Sequence, residues 1–120
     1  MTGLAGLRVL VVEDEPVVAM CLEDILEELG CVTIGPAARL TEGMALATGE
    51  ALDAAILDIN LGGERSTEIA ATLRARGVPF AFASGYGSLP EGFADRMMVE
   101  KPYRTADIGG MLSRLLGVPQ

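Results

Sequence analysis

Five polar side chains, each placed after an apolar run of the sequence, could together support phosphoryl chemistry. They are Glu13, Asp14, Asp58, Ser84 and Lys101. Three carboxylates brought close together repel one another and raise one another's pKa unless a cation neutralises them. The chain contains no histidine, so the expected cation is one that prefers oxygen ligands, and Mg²⁺ fits. One carboxylate could then act as a nucleophile, while Lys101 and Ser84 contact the oxygens of the incoming phosphoryl group.

The composition excludes several other classes of function. The 120 residues include 9 Lys and Arg against 17 Asp and Glu, a net charge of −8, which opposes binding to nucleic acid or to acidic lipid. Without histidine there is no Ser-His-Asp triad, no His-ligated zinc and no phosphohistidine. The apolar stretch 4–12 is interrupted by Arg8 and is too short to span a bilayer. We therefore expect a cytoplasmic protein that contacts neither membrane nor nucleic acid directly.

The hydrophobic pattern predicts strands that alternate with helices. Short apolar runs predict strands at 7–12, 32–34, 54–57, 79–83 and 97–99. Helical periodicity predicts helices at 16–29, from Thr41, from Ser66 to Gly77, and from Thr105. Between the fourth and fifth strands Gly85, Gly87, Pro90 and Gly92 follow one another closely, so we expect a weak or absent helix there.

This alternation favours an α/β fold with one parallel sheet and helices on both of its faces, in a single domain spanning residues 1–120. In such sheets the functional residues lie just beyond the carboxyl ends of the strands. All five polar side chains should therefore meet at one edge of the sheet.

These residues, in this order, resemble the receiver domain of two-component response regulators. The matching motifs are Val12-Glu13-Asp14-Glu15, Leu57-Asp58-Ile59-Asn60, Ser84 and Lys101-Pro102. The resemblance implies a flavodoxin-like fold, with a five-stranded parallel sheet in the order 2-1-3-4-5. It implies that Asp58 accepts a phosphoryl group from a histidine of a partner kinase, and that Lys101 and Ser84 bind this group.

The resemblance also implies a metal site and particular partners. Mg²⁺ would be held by Glu13, Asp14, Asp58 and the backbone carbonyl of Asn60. The Lys101–Pro102 peptide bond would be cis. The partners would be a sensor histidine kinase, for which the HWE type is a candidate, or a phosphotransfer protein, together with a downstream target protein.

The segment from Pro79 to Gly87 is similar to the signature of the FAT GUY subgroup of receivers, with Ser84 in place of the usual threonine. One position departs from the wider family, because Val99 stands where most receivers carry an aromatic switch residue. We hypothesise that Tyr86 and the glycine-rich segment after it take over the switching role.

Two other functions remain as alternatives at this stage. A small Mg²⁺-dependent phosphohydrolase would also form an aspartyl-phosphate, but such enzymes carry a general acid two residues after the nucleophile, where this chain has Asn60. A cofactor-binding flavodoxin-like domain would present backbone N–H groups to phosphate, where this chain presents Glu13 and Asp14. We therefore expect a signalling phosphoacceptor and not an enzyme.

Overall fold

The computed structural model describes residues 3–85, 89–93 and 96–118, and its strands form one five-stranded parallel sheet and one short hairpin. The strands are β1 (Arg8–Val12), β2 (Val32–Ala37), β3 (Ala54–Asp58), β4 (Asn60–Leu61), β5 (Glu64–Arg65), β6 (Phe80–Ser84) and β7 (Met97–Glu100). The parallel sheet has the order β2-β1-β3-β6-β7, and β4 pairs with β5 in antiparallel fashion. When the parallel strands are counted alone this is the order 2-1-3-4-5, so the predicted fold class is confirmed.

In the described part of the chain, four helices connect the strands and cover both faces of the sheet. They are α1 (Pro16–Glu28), α2 (Leu40–Gly49), α3 (Thr67–Arg76) and α4 (Thr105–Leu116). Buried residues of α1 and α4 pack on one face, and those of α2 and α3 pack on the other. Within the described ranges, none of these helices has the length and apolar character that crossing a membrane requires.

The central strands are buried on both faces, which explains why they read as continuous apolar runs. All five residues of β3 are buried, and Val9 and Leu10 of β1 are fully buried although they point to opposite faces. Burial of one such side chain stabilises the folded state by roughly 1.5–3 kcal/mol. This double-sided burial fixes the position of each strand end and therefore of the polar residue that follows it.

The second strand is longer than the sequence predicts. The predicted strand ends at Ile34, but β2 continues through Gly35–Pro36 to Ala37. Leu10 lies opposite Ile34 and Val12 lies opposite Ala37, so β2 holds one more residue than β1 over this interval. Gly35 absorbs the extra residue because its φ of +98° is accessible to glycine.

The turn predicted after the third strand is the tip of the β4–β5 hairpin. Gly62 and Gly63 occupy the tip with φ values of +57° and +98°, as a type I′ turn requires. Ser66, predicted to cap the next helix, makes no side-chain capping bond. Its hydroxyl instead donates to the backbone oxygen of Ile59 at 3.3 Å, which ties the base of the hairpin together.

The connection between β6 and β7 contains no helix in its described residues, 85, 89–93 and 96, as the glycine content predicts. Phe93 anchors it, since its ring packs edge-on against those of Phe80 and Phe82. Arg74 on α3 lies 4.2 Å above the Phe93 ring and donates to the backbone oxygen of Gly92 at 2.9 Å. Apolar packing of Phe93 and Leu89, together with the Arg74 hydrogen bond, therefore holds the described part of this connection against the sheet.

Candidate functional site

The strand register brings the predicted functional residues to one edge of the sheet. Val12 pairs with Leu57, so the residues that follow them, Glu13 and Asp58, are neighbours. On the other side of β3, Asp58 pairs with Ala83, which precedes Ser84. The backbone N–H of Lys101 donates to the backbone oxygen of Ser84 at 2.9 Å, which brings Lys101 to the same edge.

Glu13, Asp14 and Asp58 form a group that we call the acid cluster. One oxygen of each carboxylate lies within 4.8 Å of the others, so a single cation could contact all three. Glu13 is 2% exposed and Asp58 is 8% exposed, whereas Asp14 is half-buried. Three carboxylates at this separation form an all-oxygen donor set that fits a hard divalent cation such as Mg²⁺.

Lys101 lies between two members of the acid cluster. Its Nζ is 2.9 Å from Oε1 of Glu13 and 3.4 Å from Oδ2 of Asp58. Burial favours the neutral amine, but contact with Glu13 and the negative charges of Asp58 and Glu13 outweigh this, and the pKa of Lys101 is raised. Lys101 is therefore a permanent ammonium at the site.

Asp58 is a buried carboxyl group whose charged form is disfavoured. Burial, together with the adjacent Glu13 carboxylate, raises the pKa of Asp58 to about 7, although Lys101 acts in the opposite direction. The negative charge of Asp58 is only partly balanced by Lys101, so this carboxylate is a strong candidate for cation binding and for nucleophilic attack.

Two backbone N–H groups donate to carboxylate oxygens of Glu13 and Asp14 and orient these side chains. The N–H of Glu15 donates to Oε2 of Glu13 at 3.2 Å. The N–H of Gly62, at the tip of the β4–β5 hairpin, donates to Oδ2 of Asp14 at 2.9 Å. The hairpin is therefore part of the site and not only a connection between β3 and α3.

A cavity of about 270 Å³ opens over the acid cluster. Its lining residues are Asp14, Glu15, Asp58, Asn60, Gly62, Ser84, Gly85 and Lys101. This volume is several times the roughly 30 Å³ that one water molecule occupies in the liquid. The cavity thus has room for a phosphoryl group beside a hydrated cation, with an ammonium, a hydroxyl and carboxylates around it.

The structure brings together Glu13, Asp14, Asp58, Ser84 and Lys101, the five residues with which the sequence analysis began. Asn60 lines the same cavity, and the Lys101–Pro102 bond is cis. Val99 is buried in the apolar cluster beneath α1 and α4. Tyr86, the hypothesised switch residue, lies outside the described residues.

Sequence reasoning missed three contributors to the site, namely Glu15, Gly62 and Tyr103. Tyr103 is buried, and burial together with the charges of Glu13 and Asp58 raises the pKa of its hydroxyl. That hydroxyl has no hydrogen-bond partner among the described residues. For Tyr103, the one signal in the sequence is its place directly after Lys101–Pro102. Glu15 and Gly62 contribute through backbone N–H groups, which leave no trace in the pattern of side chains.

Comparison with known proteins gives a consistent result. The family model of the response regulator receiver domain matches residues 9–105. The chain is 32% identical over 118 residues to the phyllosphere-induced regulator PhyR of Methylorubrum extorquens strain AM1. That alignment covers 91% of this chain but 43% of PhyR, so the chain spans less than half of the length of this relative.

Two solved structures have similar folds, and each is matched over nearly the whole of its own chain and of this one. The solution structure of SdrG from Sphingomonas melonis Fr1 is 41% identical, has a TM-score of 0.83, and is matched over 92% of this chain and 97% of SdrG. The BeF3-activated conformation of SdrG from Pseudomonas melonis Fr1 is also 41% identical, with a TM-score of 0.78 and coverage of 93% and 98%.

Proposed function

This chain belongs to the response regulator receiver domain family, and we propose that Asp58 is the side chain that accepts the phosphoryl group. The function is that of a phosphoacceptor in two-component signalling. The alternative of a phosphohydrolase is not supported, and the absence of a carboxyl group at Asn60 agrees with this. Asp58 thus serves as a signalling group and not as part of an enzyme that turns over an external substrate.

The observation that carries this proposal is the environment of Asp58. Its carboxylate is buried next to Glu13, contacts Lys101 at 3.4 Å and opens into the cavity that Ser84 also lines. An oxygen of Asp58 would attack phosphorus while the bond to the donor nitrogen breaks, and the bonding electron pair would leave with that nitrogen. Lys101 and Ser84 would contact the oxygens of the transferred group.

We propose that Glu13, Asp14 and Asp58, with the backbone carbonyl of Asn60, hold Mg²⁺. The three carboxylates of the acid cluster are close enough to share one ion. The bound ion would neutralise charge on the carboxylates and on the phosphoryl oxygens. The chain itself supplies the fixed position of the nucleophile, the ammonium of Lys101 and the hydroxyl of Ser84.

The proposed partners are those that membership of the receiver family suggests. A histidine kinase, with the HWE type as one candidate, or a phosphotransfer protein would supply the phosphoryl group. A downstream protein would respond to the phosphorylated form. The similarity to PhyR and SdrG supports a signalling role of this kind.

Labelling by a small phosphodonor tests the proposal. After incubation with acetyl phosphate and Mg²⁺, intact-mass measurement should detect one phosphoryl adduct that is stable in acid and labile in base. Asp58→Asn should abolish the adduct. Asp53→Asn is the matched control, because Asp53 accepts a hydrogen bond from the backbone of Arg8 away from the acid cluster, and this variant should label like the wild type. Equal labelling of Asp58→Asn, or many turnovers on a phosphate ester, would reject the proposal.

A further inference from the structure

The tip of the β4–β5 hairpin reaches the acid cluster through one hydrogen bond between described residues. The N–H of Gly62 donates to Oδ2 of Asp14 at 2.9 Å and joins residues that are 48 positions apart in the sequence. We propose that this bond makes Gly62 a positioning residue, which holds Asp14 in place before any cation arrives. The inference rests on the proposed function of the acid cluster as a cation site.

Asp14 needs such support more than the other two carboxylates. Glu13 and Asp58 are both buried, and each lies within ion-pair distance of Lys101. Asp14 is half-buried, and the described part of the chain offers it no ion pair within 4.0 Å. Repulsion from two neighbouring carboxylates favours rotation of Asp14 toward solvent, where water would solvate its charge. The Gly62 N–H opposes that rotation.

The hairpin is rigid enough to act as this support. Its two strands pair residue by residue, and Leu61 anchors it with only 3% of its surface exposed. At its base the backbone N–H and the hydroxyl of Ser66 both donate to the oxygen of Ile59, at 3.0 and 3.3 Å. The Gly62–Gly63 turn adopts positive φ at both positions, which fixes the direction of the tip.

The hairpin also links two members of the acid cluster. Asp58 ends β3, and the hairpin begins two residues later at Asn60. The short path from Asp58 to Gly62 and on through the hydrogen bond to Asp14 therefore connects the two carboxylates by a second route, besides the pairing of β1 with β3. The bond uses one oxygen of Asp14 and leaves the other free for a cation. A preorganised site binds its ligand more tightly, because less conformational entropy is lost when the ligand binds.

Replacing one amide by an ester tests this directly. Glycolic acid at position 62 exchanges the N–H for an oxygen and adds no side chain. The matched control is the same replacement at Gly63, where even an added Cβ would meet no atom within 4 Å. Calorimetric titration with Mg²⁺ should show about tenfold weaker binding for the ester at 62, equivalent to roughly 1.4 kcal/mol, and near wild-type binding for the ester at 63. Equal affinities for the two esters would overturn the inference.

A second measurement needs neither an ester nor a metal ion. In the metal-free protein, hydrogen exchange of the Gly62 amide should become about tenfold faster in Asp14→Ala, while the Gly63 amide should be unaffected. Unchanged exchange at Gly62 would overturn the inference whatever the magnesium titration shows. If instead the wild type binds no Mg²⁺ while exchange at Gly62 responds to Asp14→Ala, then the proposed cation site fails and the positioning of Asp14 by Gly62 stands.

Discussion

Two clusters of side chains lie on neighbouring strands of this sheet, and they differ in what they do for the folded state. The aromatic cluster consists of Phe80, Phe82 and Phe93, whose ring centroids are 5.6–6.1 Å apart in edge-to-face arrangements. The acid cluster lies at the carboxyl ends of β1 and β3. The aromatic rings are in the environment that they prefer, whereas the carboxylates are buried against one another.

This difference separates stability from reactivity. Burial and ring packing of the aromatic cluster stabilise the fold, at roughly 0.5–1.5 kcal/mol for each ring pair beyond the burial of apolar area. Burial of Asp58 has the opposite effect, because it raises the pKa of that carboxyl group to about 7 and thereby disfavours its charged form. The apolar packing supports a site that would be unfavourable by itself.

The largest expected effect is on the aromatic cluster. Phe93→Ala should lower the free energy of unfolding by about 3 kcal/mol, because it empties a buried site between two rings. Urea denaturation measures this loss. Phe93→Leu, which keeps most of the apolar volume, should lose about 1 kcal/mol. Mg²⁺ affinity should change less than about twofold in both variants while they are folded. A large loss of affinity would show that the two clusters are not separable.

Removing the charge of Asp58 should stabilise the fold, whereas Phe93→Ala destabilises it. In EDTA, Asp58→Asn should raise the free energy of unfolding by on the order of 2 kcal/mol at pH 8. The folded state holds the Asp58 proton more tightly than the unfolded state, so ionisation costs stability as the pH rises from about 4 to about 7. At pH 4 Asp58 is protonated in the folded state and only about half ionised in the unfolded state, so most of the gain should disappear. An equal gain at pH 4 and pH 8 would contradict this explanation.

Mg²⁺ binding should itself depend on pH. Since the cation competes with the proton on Asp58, affinity should rise about tenfold between pH 6 and pH 8, which is about 1.4 kcal/mol. Titration calorimetry in buffers of different ionisation enthalpy would also detect proton release near pH 6. The same measurement on Asp58→Asn should give weaker binding with a flatter pH profile. A flat profile in the wild type would place the metal away from Asp58.

The smallest effect concerns Arg74, one of two arginines that lie over rings of the aromatic cluster in the described residues. Arg74→Met keeps much of the aliphatic stem but removes the guanidinium over Phe93 and its bond to Gly92. We expect a loss of about 1 kcal/mol of stability. Arg114→Met, at an exposed position of α4, should change stability by less than about 0.5 kcal/mol. Equal effects of the two substitutions in thermal unfolding would show that Arg74 does not stabilise the aromatic cluster.

The architecture and most of the site could be predicted from the sequence for a simple reason. The central strands β1, β3 and β6 are buried on both faces, so each reads as an apolar run, and the residue after each run lies at the carboxyl edge of the sheet. That reasoning located Asp58 and Glu13 without any knowledge of distances. The closely spaced glycines and proline also explain why the described residues between β6 and β7 form no helix, since both residue types disfavour helix interiors.

Other features could not be predicted because their causes are not local. The extension of β2 beyond Ile34 depends on pairing with β1, and the anchoring of the β6–β7 connection by Phe93 depends on rings from another part of the chain. The bond from Gly62 to Asp14 uses a backbone amide, which every residue except proline possesses. A sequence pattern identifies side chains, so it could not assign a role to that amide.

The position of Lys101 has a consequence for the order of events at the site. When Asp58 is ionised, three carboxylates face one ammonium, and the excess charge of minus two equals in magnitude the charge of a single divalent ion. A polyanionic phosphodonor therefore meets a repulsive pocket until that ion is present and an electroneutral one afterwards. If the acid cluster is the cation site that we propose, the charges of these four side chains would disfavour approach of the donor until the ion is bound, without any moving part.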